Sequence, residues 1–177
     1  MTKKSIERFA VLDFEASSLS DISWPIEVGL SWIENDRLQT WSSLIQPHPK
    51  WDISDWSIES EAVHQIPLVD LQSAPSASSV ARELISRSFN LTLVSDAPEF
   101  EHHWLSRLLD TGGVGAVPAI EDFHAVSFAQ YNGIALDMLY EKLELTKVPH
   151  RAGPDSARLA SGWLKAGEVN SRENSRC

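Results

Sequence analysis

The order of elements read from the sequence predicts an α/β fold: a mixed sheet with helices packed on it. Three observations carry that reading. A short apolar run, Phe9-Ala10-Val11-Leu12, ends in Asp13-Phe14-Glu15, as a buried strand running into charge would. Two further strand patterns follow it as a hairpin, and the rest of the chain alternates helical and strand patterns.

Residues 9–13 form the first strand, and Ala16 to Ser20 a polar loop. Ile26-Glu27-Val28-Gly29-Leu30-Ser31-Trp32-Ile33 alternates apolar and polar residues, the pattern of a half-buried strand. Glu34 to Arg37 is a turn, and Leu38 to Ile45 the return strand. Pro47 to Trp56 reads as loop and Ser57 to Ala62 as a short helix. A small, polar loop from Ser73 to Ser79 leads into a helix over Ser78 to Phe89, and Leu91 to Ser95 is another strand. Pro98 opens a helix to about Leu109 with Trp104, Leu105, Leu108 and Leu109 on one face. Thr111-Gly112-Gly113-Val114-Gly115 has the look of a phosphate loop but lacks the following Lys-Ser/Thr and follows a helix, so it reads as a connection. Phe123 to Phe128 reads as a strand and Ile134 to Leu145 as an amphipathic helix. Pro154 suits the first position of a last helix running to about Lys165. Residues 167–177 read as a polar tail on a single domain whose core spans about 9–166.

Composition narrows the function classes. A chain of 177 residues with 42% hydrophobic and 23% charged residues is an ordinary globular domain able to bury a core. No apolar stretch reaches membrane-spanning length, and the basic residues of the N-terminus precede no apolar signal region. The single cysteine, Cys177, allows no internal disulfide, which fits a reducing cytoplasm. A net charge of −10 argues against extended contact with a nucleic-acid backbone, which needs Lys and Arg against phosphates. It leaves room for a small phosphate-bearing substrate held through metal ions.

The chemistry lies in three acidic clusters. Positions i and i+2 of a strand share a face, so Asp13 and Glu15 aim two carboxylates at one point. Held close and out of water they repel, and a divalent cation between them removes the objection. Oxygen-only ligands suit Mg²⁺ or Mn²⁺ rather than zinc. About one Asp-x-Glu is expected by chance in a chain this acidic, so position after a buried strand is what gives the pair weight. The second cluster holds Asp96, which closes a strand, and Glu101, in the first turns of the next helix. Each is open to two readings: a reach toward the first pair, or a helix cap for Asp96 and a solvated helix face for Glu101. The adjacent His102 and His103 point in different directions on a helix and read as surface or packing residues. The third cluster is His150-Arg151-Ala152-Gly153-Pro154-Asp155. Pro154 disfavours a helical Gly153, which leaves His150 on a loop and Asp155 in the first helical turn. An imidazole there can accept a proton from water near neutral pH.

Taken in order, these residues resemble the DnaQ-like 3′–5′ exonucleases of the DEDDh type, the family of proofreading subunits, RNase T and oligoribonuclease. Asp13-Phe14-Glu15 matches the first motif, Leu93 to Glu101 resembles the second, and His150-Arg151-Ala152-Gly153-Pro154-Asp155 matches the third, His-x-Ala-x-x-Asp. Pro25-Ile26-Glu27-Val28-Gly29 resembles the family's second strand, and Ala62-Val63-His64-Gln65-Ile66 a Val-His-Gly-Ile element with Gln65 in the glycine's place. The resemblance spans residues 9 to about 165. It departs in the second motif, where the family's Asp slot holds Glu101 and its Asn slot Ala97.

The resemblance implies a ribonuclease-H-like fold, a mixed five-stranded sheet flanked by helices. It implies two Mg²⁺ or Mn²⁺ ions held by Asp13, Glu15, Asp155 and either Glu101 or Asp96, with His150 as general base. Nucleoside 5′-monophosphates would leave the 3′ end of single-stranded DNA or RNA. Ala16, Ser17, Ser18, Leu19 and His64 would line the terminal nucleotide, and Trp24, Trp51 and Trp56 are candidates for stacking on bases as well as for packing. The implied partners are single-stranded 3′ ends or short oligonucleotides, and many relatives of this size are homodimers. Two rival readings stand beside this one: a non-catalytic relative that binds a nucleic-acid end or a protein, and a hydrolase limited to very short oligonucleotides, which the acidic surface favours.

Overall fold

The computed structural model describes residues 5–174, so Cys177 lies outside the described residues. β1 (Phe9–Ala16), β2 (Pro25–Glu34) and β3 (Arg37–Leu44) form an antiparallel meander, and β4 (Thr92–Ser95) and β5 (Ile120–Asp122) add in parallel on the other side of β1. The sheet order is β3-β2-β1-β4-β5, the expected mixed five-stranded α/β sheet with β1 at its centre. The β2–β3 hairpin turns on Asn35 and Asp36, both at positive φ (53° and 58°), which matches the twist of the strands it joins.

Among the described residues there are six α-helices: α1 (Ile58–His64), α2 (Ala77–Arg87), α3 (Pro98–Gly112), α4 (Phe123–Gln130), α5 (Gly133–Glu144) and α6 (Ala152–Asn174). The alternation of β1 sorts its side chains between two cores. Ala10, Leu12 and Phe14 pack with Leu84 of α2 and Leu105 and Leu108 of α3. Val11 packs with Phe123 of α4, Leu139 of α5 and Trp163 of α6. Both faces are covered, so β2 is buried along nearly its whole length, not half-buried as its alternation suggests. The polar positions of β2 are buried because α6 lies on them; Ser31 Oγ, for instance, sits 2.9 Å from Ser156 Oγ. A third, smaller core lies under the 17–24 loop, where a fully buried Trp24 packs with Ile26, Ile66 and Leu71.

Three expected boundaries change. The segment Phe123 to Phe128 is helix, not strand: Asp122 accepts the Ala125 N–H at 2.7 Å and caps it, and Phe123, Val126 and Ser127 are buried at helical spacing. The strand of that region is the short β5 just before it. The last helix starts at Ala152 and runs to Asn174, well past Lys165, and so takes in most of the expected polar tail. α3 runs past the expected Leu109 to Gly112, so the glycine-rich connection begins inside its last turn, and Gly113 at φ 64° closes the helix. Among the described residues no helix is long and apolar enough to cross a membrane.

Candidate active site

β1 delivers the first two carboxylates. Asp13 and Glu15 share the parity of Val11 and so aim at the α6 face of the sheet. The β1–β2 register shifts between Glu15 and Ala16, a bulge that bends the strand end where the site is built. In that register Asp13 stands opposite Gly29 and Glu15 opposite Glu27. A Cβ on Gly29 would overlap the Ala152 carbonyl, and one on Gly153 would lie 2.8 Å from Ser42. The two glycines thus let the first turn of α6 settle on β2 and β3, beside Asp13. Asp155 in that turn then reaches the pair, and one carboxylate oxygen from each of Asp13, Glu15 and Asp155 lies within 4.8 Å of the others. Among the described residues no other group of acids, histidines or cysteines converges this closely.

Glu101 arrives from the opposite side. β1 pairs with β4 only as far as Val11–Val94. The Phe14 backbone N–H lies within electrostatic reach of the Glu101 carboxylate and favours its charged form. Glu101 is 3% exposed, and its Oε2 has no hydrogen-bond partner. Asp96 is exposed at the end of β4, although its charge still acts on Asp13 and Glu101. Of the two second-cluster acids, Glu101 is buried and Asp96 exposed, and both act electrostatically on the pair from β1.

The group is electrostatically strained. Burial, then the charges of Glu15, Asp155, Asp96 and Glu27, holds the Asp13 carboxyl well above its ordinary range. Burial and the charges of Asp155 and Glu27 push Glu15 up to about 7, with Arg151 opposing. Burial, then Asp13, Asp96 and Glu15, raises Glu101. Asp155 is raised by burial, against the Arg151 amide and the His150 charge. Its Oδ2 accepts the Arg151 N–H at 3.0 Å, and its buried Oδ1 has no partner. Four acids that resist ionisation, two of them with orphaned buried oxygens, fit a hard divalent cation held by oxygen ligands.

The remaining predicted residues fall around this group. His150 is exposed on the loop before α6, at φ 54°, within electrostatic reach of Asp155. Ala16, Ser17 and Ser18 are buried. Their loop is clasped by Asp55, whose Oδ2 accepts Ser17 Oγ (3.1 Å) and Ser18 Oγ (2.7 Å) and whose Oδ1 accepts Ser20 Oγ (2.6 Å). The serine hydroxyls are therefore committed within the protein, and Leu19, 76% exposed, is the part of this loop that faces outward. His64 is buried at the end of α1, edge-on to Trp56. Its Nδ1 accepts the Ile66 N–H at 3.0 Å, which puts the proton on Nε2, and Nε2 has no partner. The next residue, Gln65, adopts the left-handed conformation at φ 56°, the reason glycine suits that slot. Trp24 is fully buried and stacked on Trp51 at 5.8 Å, so it is a packing residue with no face for a base. His103 also packs, against Trp104 and the Ser23 carbonyl.

Two groups escape sequence reasoning. Asp55 carries no signal that separates it from other loop acids. Glu27 does: a carboxylate inside Ile-Glu-Val-Gly-Leu needs a buried partner. That partner is Arg151, whose Nε and Nη2 donate to the two Glu27 oxygens at 2.9 and 2.7 Å.

No family model and no curated protein matches the chain. Solved structures do. A 3′-exonuclease described in 3′-end-specific recognition of a histone mRNA stem-loop aligns with a TM-score of 0.63 at 11% identity, covering 96% of this chain and 84% of that one. Exonuclease X, solved with 5′-overhanging duplex DNA, gives 0.56 at 15% identity, with 92% and 93% covered. E. coli exonuclease I, solved with a dA16 oligonucleotide, gives 0.66 at 9% identity; 90% of this chain covers 40% of that larger one. Together with the β3-β2-β1-β4-β5 sheet, these alignments show that the chain shares its fold, a mixed five-stranded sheet of the ribonuclease-H-like kind, with these 3′-exonucleases.

Proposed function

We propose that the chain is a metal-dependent 3′–5′ exonuclease of the DEDDh type, releasing nucleoside 5′-monophosphates from single-stranded DNA or RNA. The observation that carries the reading is the convergence of Asp13, Glu15 and Asp155 within 4.8 Å, with the buried Glu101, whose Oε2 has no partner, in electrostatic reach of Asp13 and Glu15. Asp13, Glu15, Glu101 and Asp155 would hold two Mg²⁺ or Mn²⁺ ions, and the exposed Asp96 would tune the field. When bound, such ions acidify a water and neutralise charge at the leaving 3′ oxygen. His150 accepts the water's proton through an imidazole nitrogen. The water's oxygen would then bond to phosphorus as the P–O3′ bond breaks; the departing 3′ oxygen takes a proton from solvent, leaving a 3′-hydroxyl on the shortened strand, and His150 gives its own proton back to solvent. His64 offers its Nε2–H to the terminal nucleotide, and Leu19 an apolar contact. A buried Glu101 within electrostatic reach of Asp13 supports catalysis over a binding-only role. Within this reading, the net charge of −10 favours short oligonucleotides, because long strands need more cationic contacts.

The test is a 5′-labelled single-stranded oligonucleotide incubated with Mg²⁺, Mn²⁺ or EDTA, with Asp13→Ala and His150→Ala alongside. A metal-dependent ladder shortening from the 3′ end, lost in both variants, is expected. Intact oligonucleotide bound by a folded protein in either metal refutes the reading. Substrates of graded length, as DNA and as RNA, then define the preference.

A further inference from the structure

One ion pair, its carboxylate buried and its guanidinium half-exposed, has no part in that scheme. Glu27 is 4% exposed and faces Glu15 across the β1–β2 register, a juxtaposition of like charges that is unfavourable by itself. Its partners all come from the start of α6: the two-pronged Arg151 guanidinium and the Ala152 N–H, 2.9 Å from Oε2. Arg151 lies between His150 and Ala152, and its own N–H donates to Asp155. A continuous set of contacts thus runs from a strand carboxylate to both residues that α6 brings to the site. Glu27, Gly29 and Ser31 share one face of β2, and each meets the first turns of α6. Gly29 and Ser31 already meet α6 at close range without it. Docking alone would be served as well by an apolar pair, since a carboxylate as buried as Glu27 loses much to desolvation. What the fork adds is a fixed angle and a positive charge beside Glu15.

We propose that Glu27 and Arg151 are positioning residues: their fork sets the seat of the first turn of α6, and with it the placement of Asp155 and His150 against Asp13 and Glu15. This rests on the exonuclease reading. Outer contacts of this kind typically change metal affinity or turnover about 10–100-fold when removed.

The experiment uses the full chain with Glu27→Gln, Arg151→Met, Arg151→Lys and the paired Glu27→Met/Arg151→Met, the last so that no charge is left buried alone. Mn²⁺ affinity is read by electron paramagnetic resonance, exchange of the Ala152 amide by NMR in EDTA, and cleavage as separate kcat and KM. Expected are Mn²⁺ affinity and kcat down about tenfold or more in every variant, KM within about twofold, and faster Ala152 exchange. The paired variant is expected to melt near wild type yet stay impaired, and Arg151→Lys, which restores charge without the fork, to stay impaired too. A paired variant with wild-type Mn²⁺ affinity and kcat overturns the proposal, because apolar docking then suffices. Wild type that binds Mn²⁺ no better than its clamp variants sinks the clamp alone. A wild-type chain that binds no Mn²⁺ sinks the exonuclease reading, and the positioning role with it.

Discussion

Glu15 gives the sharpest prediction because its titration is tied to folding. Its carboxyl is pushed from 4.5 up to about 7 in the folded chain, whereas in the unfolded chain it ionises near 4.5. Below pH 4.5 both states hold the proton and the site costs nothing. Between 4.5 and 7 the folded chain binds more protons than the unfolded one, so stability falls as pH rises, and above 7 the full penalty is in place. The interval, at about 1.4 kcal/mol per pH unit, corresponds to about 3.4 kcal/mol, which partial solvent screening lowers to roughly 2–3 kcal/mol. For a domain of this size that is a melting temperature lower by roughly 5–10 °C at pH 8 than at pH 5. Asp13 and Glu101 act in the same direction.

The assay is thermal melting in EDTA from pH 5 to 8, for wild type and Glu15→Gln. His64 works the other way. Burial holds it below its ordinary value, so it favours the folded state as pH rises toward 6.5. It is common to both proteins, so the difference between them isolates Glu15. Glu15→Gln should melt several degrees above wild type at pH 8 and match it near pH 5. Saturating Mn²⁺ should restore wild type at pH 8, by about 2.7 kcal/mol at a hundredfold excess over Kd, and restore the variant less. Identical pH dependence in the two proteins, or no shift with Mn²⁺, refutes the account of the strained carboxylates.

Other perturbations separate the remaining roles. Glu101→Gln should lower kcat at least about a hundredfold, while Asp96→Asn changes it by less than about threefold, as metal-dependent cleavage assays would read; the reverse order would move the second-motif role to Asp96. Gly29→Ala should cost 3 kcal/mol or more, roughly, in denaturant unfolding, because its Cβ would overlap the Ala152 carbonyl and backbone cannot give way cheaply. Gln65→Gly should stabilise by roughly 0.5–1 kcal/mol in the same assay, since it relieves a non-glycine residue at φ 56°. Asp55→Ala frees the Ser17–Ser20 loop and should raise KM for the oligonucleotide more than it lowers kcat.

What was legible in the sequence were features fixed by local chemistry. The Asp-x-Glu pair could be read because an apolar run ends in it, and the hairpin because Asn35-Asp36 can take positive φ. The third cluster was readable because a proline marks a helix start, although the start itself lies two residues earlier. Pro154 should expel its predecessor from the helix through a clash with N–H and Cβ; Gly153 has no Cβ, so the helix begins at Ala152. Phe123 to Phe128 misled because a short apolar run fits both periods, and the Asp122 cap that decides the matter lies outside it. Glu27–Arg151 was invisible for another reason: 124 residues separate the partners, and only the packed α6–β2 contact joins them.

That long-range contact bears on why the site can exist before any cation arrives. Asp13, Glu15, Glu101 and Asp155 all resist ionisation, so repulsion alone would push α6 away from β1. Some small metal-binding domains solve this by folding only with the ion, which diverts binding energy into folding. Here the opposing forces come from the protein: apolar packing of Leu159 and Trp163 on the sheet, close approach over Gly29 and Gly153, and the Glu27–Arg151 fork. They hold the acids together at the expense of raised carboxyl pKa values. A cation entering such a site meets ligands already in place and relieves their repulsion, so its binding free energy is available for affinity rather than for assembling the fold. The same logic puts the cost of losing the fork on the metal and the chemistry more than on the melting temperature.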